Sequence, residues 1–104
     1  MKVYIIRKNG INATAEFNPA TRECIVQKGS VVSGSIAYSK TFRGAKSVEK
    51  MRGDGVVVDC VVTRNVPFKS PSTAANFVTG ASTNGMTAWK DKKGKTIKEL
   101  IEEA

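Results

Sequence analysis

The sequence predicts an α+β domain: an N-terminal antiparallel β-meander plus a further strand, with three short helices packed on the sheet. Three observations carry that expectation. Residues 11–17 alternate strictly, with Ile11, Ala13, Ala15 and Phe17 on one side and Asn12, Thr14 and Glu16 on the other, as a half-buried strand does. Residues 42–52 change period. At about 100° per residue, Gly44, Ala45, Val48 and Met51 share one arc while Arg43, Lys46 and Lys50 share the opposite side. Residues 70–80 carry both ends of a helix: Ser70 suits the N-cap, Pro71 the first helical position, and Gly80 the left-handed C-terminal position.

The elements follow in order. Val3–Lys8 is rich in Val, Ile and Tyr, and Asn9-Gly10 turns it tightly into the alternating strand. Asn18-Pro19-Ala20-Thr21 is a turn, and Arg22–Lys28 is a third strand centred on Cys24, Ile25 and Val26. Residues 29–35 are rich in Ser and Gly and read as a loop. After the amphipathic helix, Gly53-Asp54-Gly55 turns the chain into Val56–Arg64, the most β-prone run, expected to place Val56, Val58, Cys60 and Val62 on one face. In the helix that Ser70 opens, Ala74, Ala75 and Val78 form an apolar stripe, and the small residues suit close approach to another element. Asn84-Gly85 reads as a tight turn, and Thr87–Lys90 as a short strand carrying Trp89. Asp91-Lys92-Lys93-Gly94 is a turn. Thr96-Ile97-Lys98-Glu99 has capping-box spacing and opens the last helix, with Ile97, Leu100 and Ile101 facing the core. No repeat, linker or domain boundary is visible, so residues 1–104 are expected to fold as one domain.

Composition excludes several classes. The 104 residues contain no histidine, which rules out Ser-His-Asp, Cys-His and His-ligated metal sites. Cys24 and Cys60 lack CxxC spacing and are expected to be buried, inert thiols; no metal site and no cofactor is expected. The acids fall on turns and exposed helix faces. Asp59 is flanked by valines but expected to point outward from its strand. No acid pair is spaced for acid-base work, and the expectation is a protein that is not an enzyme. The longest apolar runs are too short to span a membrane, and the N-terminal segment lacks a signal-peptide apolar stretch, so a cytoplasmic protein is expected.

Charge is the positive signal. Seventeen Lys and Arg against nine Asp and Glu give +8. Residues 1–52 hold ten basic and three acidic residues, a net +7, and the second half holds the remaining +1. Such a balance suits solubility, and it equally suits contact with a polyanion. Arg43, Lys46 and Lys50 form a basic helix stripe, which reads either as a solvated face or as a phosphate-contacting one. Ser70 and Ser72 lie where a helix offers unpaired N–H groups, with Lys69 beside them; the segment reads either as a plain cap or as a phosphate site. Trp89 stands between Met86 and the Lys90, Lys92, Lys93, Lys95 cluster, either as a core anchor or as a ring partly exposed for base stacking.

The residues Ser70, Pro71, Ser72, Ala74, Ala75, Gly80, Asn84, Gly85 and Trp89, in this spacing within residues 66–100, carry a resemblance. They resemble a small family of uncharacterised domains with the pattern SPSxAAxxVxGxxxNGxxxWKxxxGKTL, often found at the C-terminus of GIY-YIG nuclease-like proteins. The pattern is also similar to the RAMA domain associated with restriction enzymes and adenine methylases. The upstream Val26-Gln27-Lys28-Gly29-Ser30 resembles a strand that often precedes this motif. The resemblance implies an accessory module of DNA-processing or restriction-modification proteins. Met86 departs from the pattern, since RAMA-type sequences tend to have an aromatic there.

Two functions are therefore expected in order. The first is a small accessory domain that binds nucleic acid through its phosphates, using Lys28, Arg43, Lys46, Lys50, Lys69, Ser70, Ser72, Lys90, Lys92, Lys93 and Lys95. The second is a protein-interaction module that docks onto a nuclease or methyltransferase.

Overall fold

A computed structural model describes residues 1–38 and 44–103. Arg43, the first residue of the expected basic stripe, lies outside the described residues.

The front of the chain is the expected meander. Strand β1 (Lys2–Ile6) pairs antiparallel with β2 (Asn12–Phe17), and β2 with β3 (Cys24–Val26). The loop at Asn9-Gly10 closes the first hairpin, with the Arg7 N–H donating to the Ile11 carbonyl at 2.9 Å. Alternation sets the register. Val3, Ile5, Ile11, Ala13, Ala15, Phe17, Cys24 and Val26 are all buried, whereas Lys2, Ile6, Asn12 and Glu16 are exposed. Strand β3 is shorter than Arg22–Lys28, because Arg22 takes a positive φ of 66° and leaves the ladder.

Helix α1 (Ala45–Arg52) buries Ala45 and Val48 and exposes Lys46 and Lys50, as the periodicity predicts. The run Val56–Arg64 differs from expectation. It is a hairpin of two two-residue strands, β4 (Val57–Val58) and β5 (Val61–Val62), turned at Asp59-Cys60 with positive φ at both residues. Two successive left-handed residues make the tight turn that matches strand twist. The apolar side chains therefore do not share one face: Val62 is buried and Val58 is 51% exposed. Asp59 and Cys60 sit at a turn rather than within a strand, and Cys60 is only half-buried.

The fourth strand of the main sheet is instead β6 (Val66–Phe68), giving the order β1-β2-β3-β6. Pro67 is tolerated there because β6 is an edge strand, where a missing N–H breaks no ladder.

Helix α2 (Pro71–Thr79) has the predicted ends. The Ser70 Oγ accepts from the Thr73 N–H at 3.2 Å, and Gly80 is left-handed at φ 70°. Ala74 and Ala75 are fully buried and let α2 lie close on β3 and β6, where Phe77 and Phe68 meet with ring centroids 5.0 Å apart. Residues 85–88 form a single helical turn, α3 (Gly85–Ala88), capped by the Asn84 Oδ1, so the expected strand over Thr87–Lys90 is not formed. Only Lys90 pairs in extended fashion, bridging Tyr4 on one side and Thr96 on the other. Helix α4 (Ile97–Glu103) opens with the predicted capping box, the Glu99 N–H donating to Thr96 Oγ1 at 3.2 Å. Four helices replace the expected three among the described residues. Of these α2 packs on the sheet, α1 and α3 pack on α2, and α4 packs on α3.

Candidate functional site

The shared motif works as a lock within the fold. The Trp89 ring is fully buried, and its Nε1–H donates to the Pro71 carbonyl at 3.0 Å. The Gly85 N–H donates to Ser72 Oγ at 3.0 Å, tying the start of α3 to the start of α2. Gly85 must be glycine because a Cβ there would fall within 3.0 Å of the Pro71 carbonyl group and the Ser72 nitrogen. Gly80 is required twice, by its φ and by the backbone of Ser35 against it. Ser70, Pro71, Ser72, Ala74, Ala75, Gly80, Asn84, Gly85 and Trp89 thus all hold α2, α3 and the core together. Of the two readings of Trp89, the buried anchor is the observed one. Ser70 is a cap and Ser72 a clasp.

A second interior device escaped the sequence. Arg52, at the end of α1, reaches the C-terminal carbonyls of α2. Its Nε and one terminal nitrogen donate to the Phe77 carbonyl at 3.0 and 2.7 Å, and that nitrogen also reaches the Val78 carbonyl at 3.3 Å. The same group binds the Ser33 carbonyl and hydroxyl at 3.0 and 2.9 Å. A cation at the negative end of a helix is favourable, and its half-burial lowers the guanidinium pKa by desolvation. Arg52 is structural and is unavailable to a ligand.

The expected basic residues separate into groups. Lys46 and Lys50 lie on the solvent side of α1. Lys28 and Lys69 follow β3 and β6, and since these two strands are antiparallel the lysines lie at opposite ends of the pair. Lys95 is paired with Glu103 at 2.8 and 2.9 Å, and that hydrogen bond raises its pKa. Lys93 is exposed in the turn beside Lys92.

Lys90 and Lys92 come together with a residue the sequence did not single out, Arg7. All three line a groove of about 980 Å³ along the outer edge of β1, between Tyr4–Arg7 and residues 81–94. Among the described residues, the outer edge of β1 is bridged at one pair, Tyr4 and Lys90. These two residues exchange two backbone hydrogen bonds there, 2.7 and 3.0 Å. Ser82 and Thr87 contribute hydroxyls to the lining. Asp91 is the one acid among the lining residues, and its Oδ1 already accepts the backbone N–H groups of Lys93 and Lys95, both at 2.9 Å. The lining residues thus carry a net positive charge, with Arg7, Lys90 and Lys92 against the one carboxylate of Asp91. Arg7 was legible only as part of the +7 front half, because its approach to Lys90 depends on the Tyr4 bridge.

Among the described residues, no group of three Cys, Asp or Glu side chains is placed to hold a metal ion. Cys24 and Cys60 are both free thiols, and burial pushes the Cys24 thiol up to about 12. No helix among the described residues is long and apolar enough to cross a membrane.

The model of a family described as a domain of unknown function, DUF4357, matches residues 4–101. The chain belongs to this family. The match runs from β1 into α4, so it takes in the lock and the groove together. No curated protein and no solved structure matches the chain.

Proposed function

We propose that this DUF4357 domain is a non-catalytic module that binds nucleic acid by its phosphates in the groove along β1. The observation that supports this reading most is the convergence of Arg7, Lys90 and Lys92 on one opening, three cations against one acid, Asp91, among the lining residues. Exposed cations around a concave surface attract a polyanion without reading its sequence. Lys93 extends the same surface, while Lys46 and Lys50 form a separate positive patch on α1. The motif serines act indirectly, by fixing the loop that carries the lysines. The resemblance to domains of nuclease-like and RAMA-bearing proteins agrees in direction, since such proteins handle DNA.

The experiment is fluorescence anisotropy of labelled DNA at several salt concentrations. Each phosphate neutralised contributes about 0.9 to the slope of log K against log salt on a duplex and about 0.7 on a single strand. Changing Arg7, Lys90 and Lys92 together to Gln flattens the slope by about 2 units, and changing Lys46 and Lys50 does so by less. Absence of binding by the wild type at low salt, or a triple variant with the full slope, overturns the proposal.

A second reading rests on Val58 and Val61, which are 51% and 39% exposed on the small hairpin. They form an apolar tip suited to docking on a nuclease or methyltransferase. Binding through that tip would persist at high salt.

A further inference from the structure

We propose that the ligand is a single-stranded nucleic acid lying on the open face of the main sheet, with Tyr4 as the platform on which a base stacks. The inference rests on the phosphate-binding reading above and names the form of that ligand. The sheet has two unlike faces. Every inward side chain of β1 and β2 is buried against the helices, and none of the outward ones is. The outward residues of β1 are Lys2, Tyr4 and Ile6. Tyr4 stands mid-strand and is half-buried.

Pairing places the neighbours of that ring. Tyr4 is opposite Thr14 on β2 and opposite Lys90 on its other side. Residues directly opposite across antiparallel strands present their side chains to the same face. Lys90, Tyr4 and Thr14 therefore form one row, with a cation at the groove end, an aromatic in the middle and a hydroxyl beyond. Lys2 precedes Tyr4 on the same face, and Arg7 and Lys92 stand at the groove.

This order of groups matches a single strand. Its backbone tracks a positive groove while an unstacked base lies on an aromatic ring, and the contact is tolerant of sequence because every base has a π-face. A duplex offers phosphates to the same cations, but its bases are paired and stacked, out of reach of a side chain on a flat sheet. Tyr4 would then be idle.

The test compares a labelled oligothymidylate, an abasic strand of equal length and a duplex, each with the wild type, Tyr4→Leu and Tyr4→Phe. Stacking on one ring predicts that the wild type binds the oligothymidylate at least about five-fold more tightly than the abasic strand. Tyr4→Leu abolishes that difference without changing the salt slope, and Tyr4→Phe retains it. Equal binding of abasic and base-bearing strands, preference for the duplex, or an unaffected Tyr4→Leu variant overturns this proposal. In each of those outcomes the phosphate reading still stands if the Arg7, Lys90 and Lys92 variant loses slope. The abasic comparison uses wild-type protein alone, so it decides the matter even where Tyr4→Leu unfolds.

Discussion

Replacing Gly85 by Ala sets two physical arguments against each other. Gly85 is the first residue of α3, and helix propensity alone favours Ala over Gly by up to about 1 kcal/mol. Its φ is not positive, so the backbone itself admits alanine. Packing argues the reverse. The new methyl would come within 3.0 Å of the carbonyl group of Pro71 and of the Ser72 nitrogen, and backbone at the start of α2 cannot swing aside as a side-chain tip does. Forcing a methyl group into a filled site costs about 1–3 kcal/mol. The displacement also stretches the Gly85–Ser72 and Trp89–Pro71 hydrogen bonds, and the latter leaves a fully buried indole N–H without its partner. An unmade bond of that kind costs about 1–3 kcal/mol. The net expectation is a loss of about 2–4 kcal/mol, or a fall in Tm of roughly 10–30 °C for a domain of this size. Thermal unfolding followed by Trp89 fluorescence measures it. Gly34→Ala is the control. A Cβ there meets only the Cys60 Sγ at 4.0 Å, and its Tm should stay close to wild type. A Gly85→Ala protein that melts at or above the wild-type temperature would refute the account of the lock.

Three further outcomes follow from the same structure. Arg52→Leu strips the Phe77 and Ser33 carbonyls of their side-chain donor and should cost about 2–3 kcal/mol in urea unfolding, while Arg52→Lys restores only part because one ammonium cannot serve the fork. The Cys24 thiol ionises near 12 when folded against an ordinary 9.0, so the unfolded chain loses its proton first and stability falls as pH rises through that window, by up to about 1.4 kcal/mol per pH unit. Cys24→Ala should remove that part of the alkaline decline, as denaturant midpoints between pH 8 and 11 would show. Under native conditions a thiol reagent should modify half-buried Cys60 well before Cys24, as read by mass spectrometry.

Much of the fold was legible because local signals agreed with tertiary ones. The alternation of Ile11–Phe17 set the register of the first hairpin, and Ser70, Pro71 and Gly80 marked α2 at both ends. The misreadings have physical causes. Val56–Arg64 has the composition of one strand, and nothing in Asp59-Cys60 announces two successive left-handed residues, since cysteine rarely adopts that conformation. Val66–Phe68 is three residues long and carries Pro67, and only its place at the sheet edge lets that run pair. A four-residue helix is too short to show a period, so α3 read as a turn and a strand.

The site was less legible than the fold. The sequence pointed to lysines around the motif, and two of them, Lys90 and Lys92, do line the groove. Arg7 joins them only through the bridge between Tyr4 and Lys90, a contact across 86 positions that no local pattern announces. Arg52 was invisible for the same reason, because the carbonyls it serves lie 25 and 26 residues further on and 19 residues back. Lys95 looked like its neighbours until Glu103 was placed beside it.

Backbone amide chemical shifts of the labelled protein, recorded while a short oligothymidylate is added at low salt, test the central claim most directly. The groove account predicts that the largest shifts fall on Tyr4–Arg7 and on residues 81–94, and that they reverse when salt is raised. Shifts gathered on α1 around Lys46 and Lys50, or no shifts at all, would contradict it.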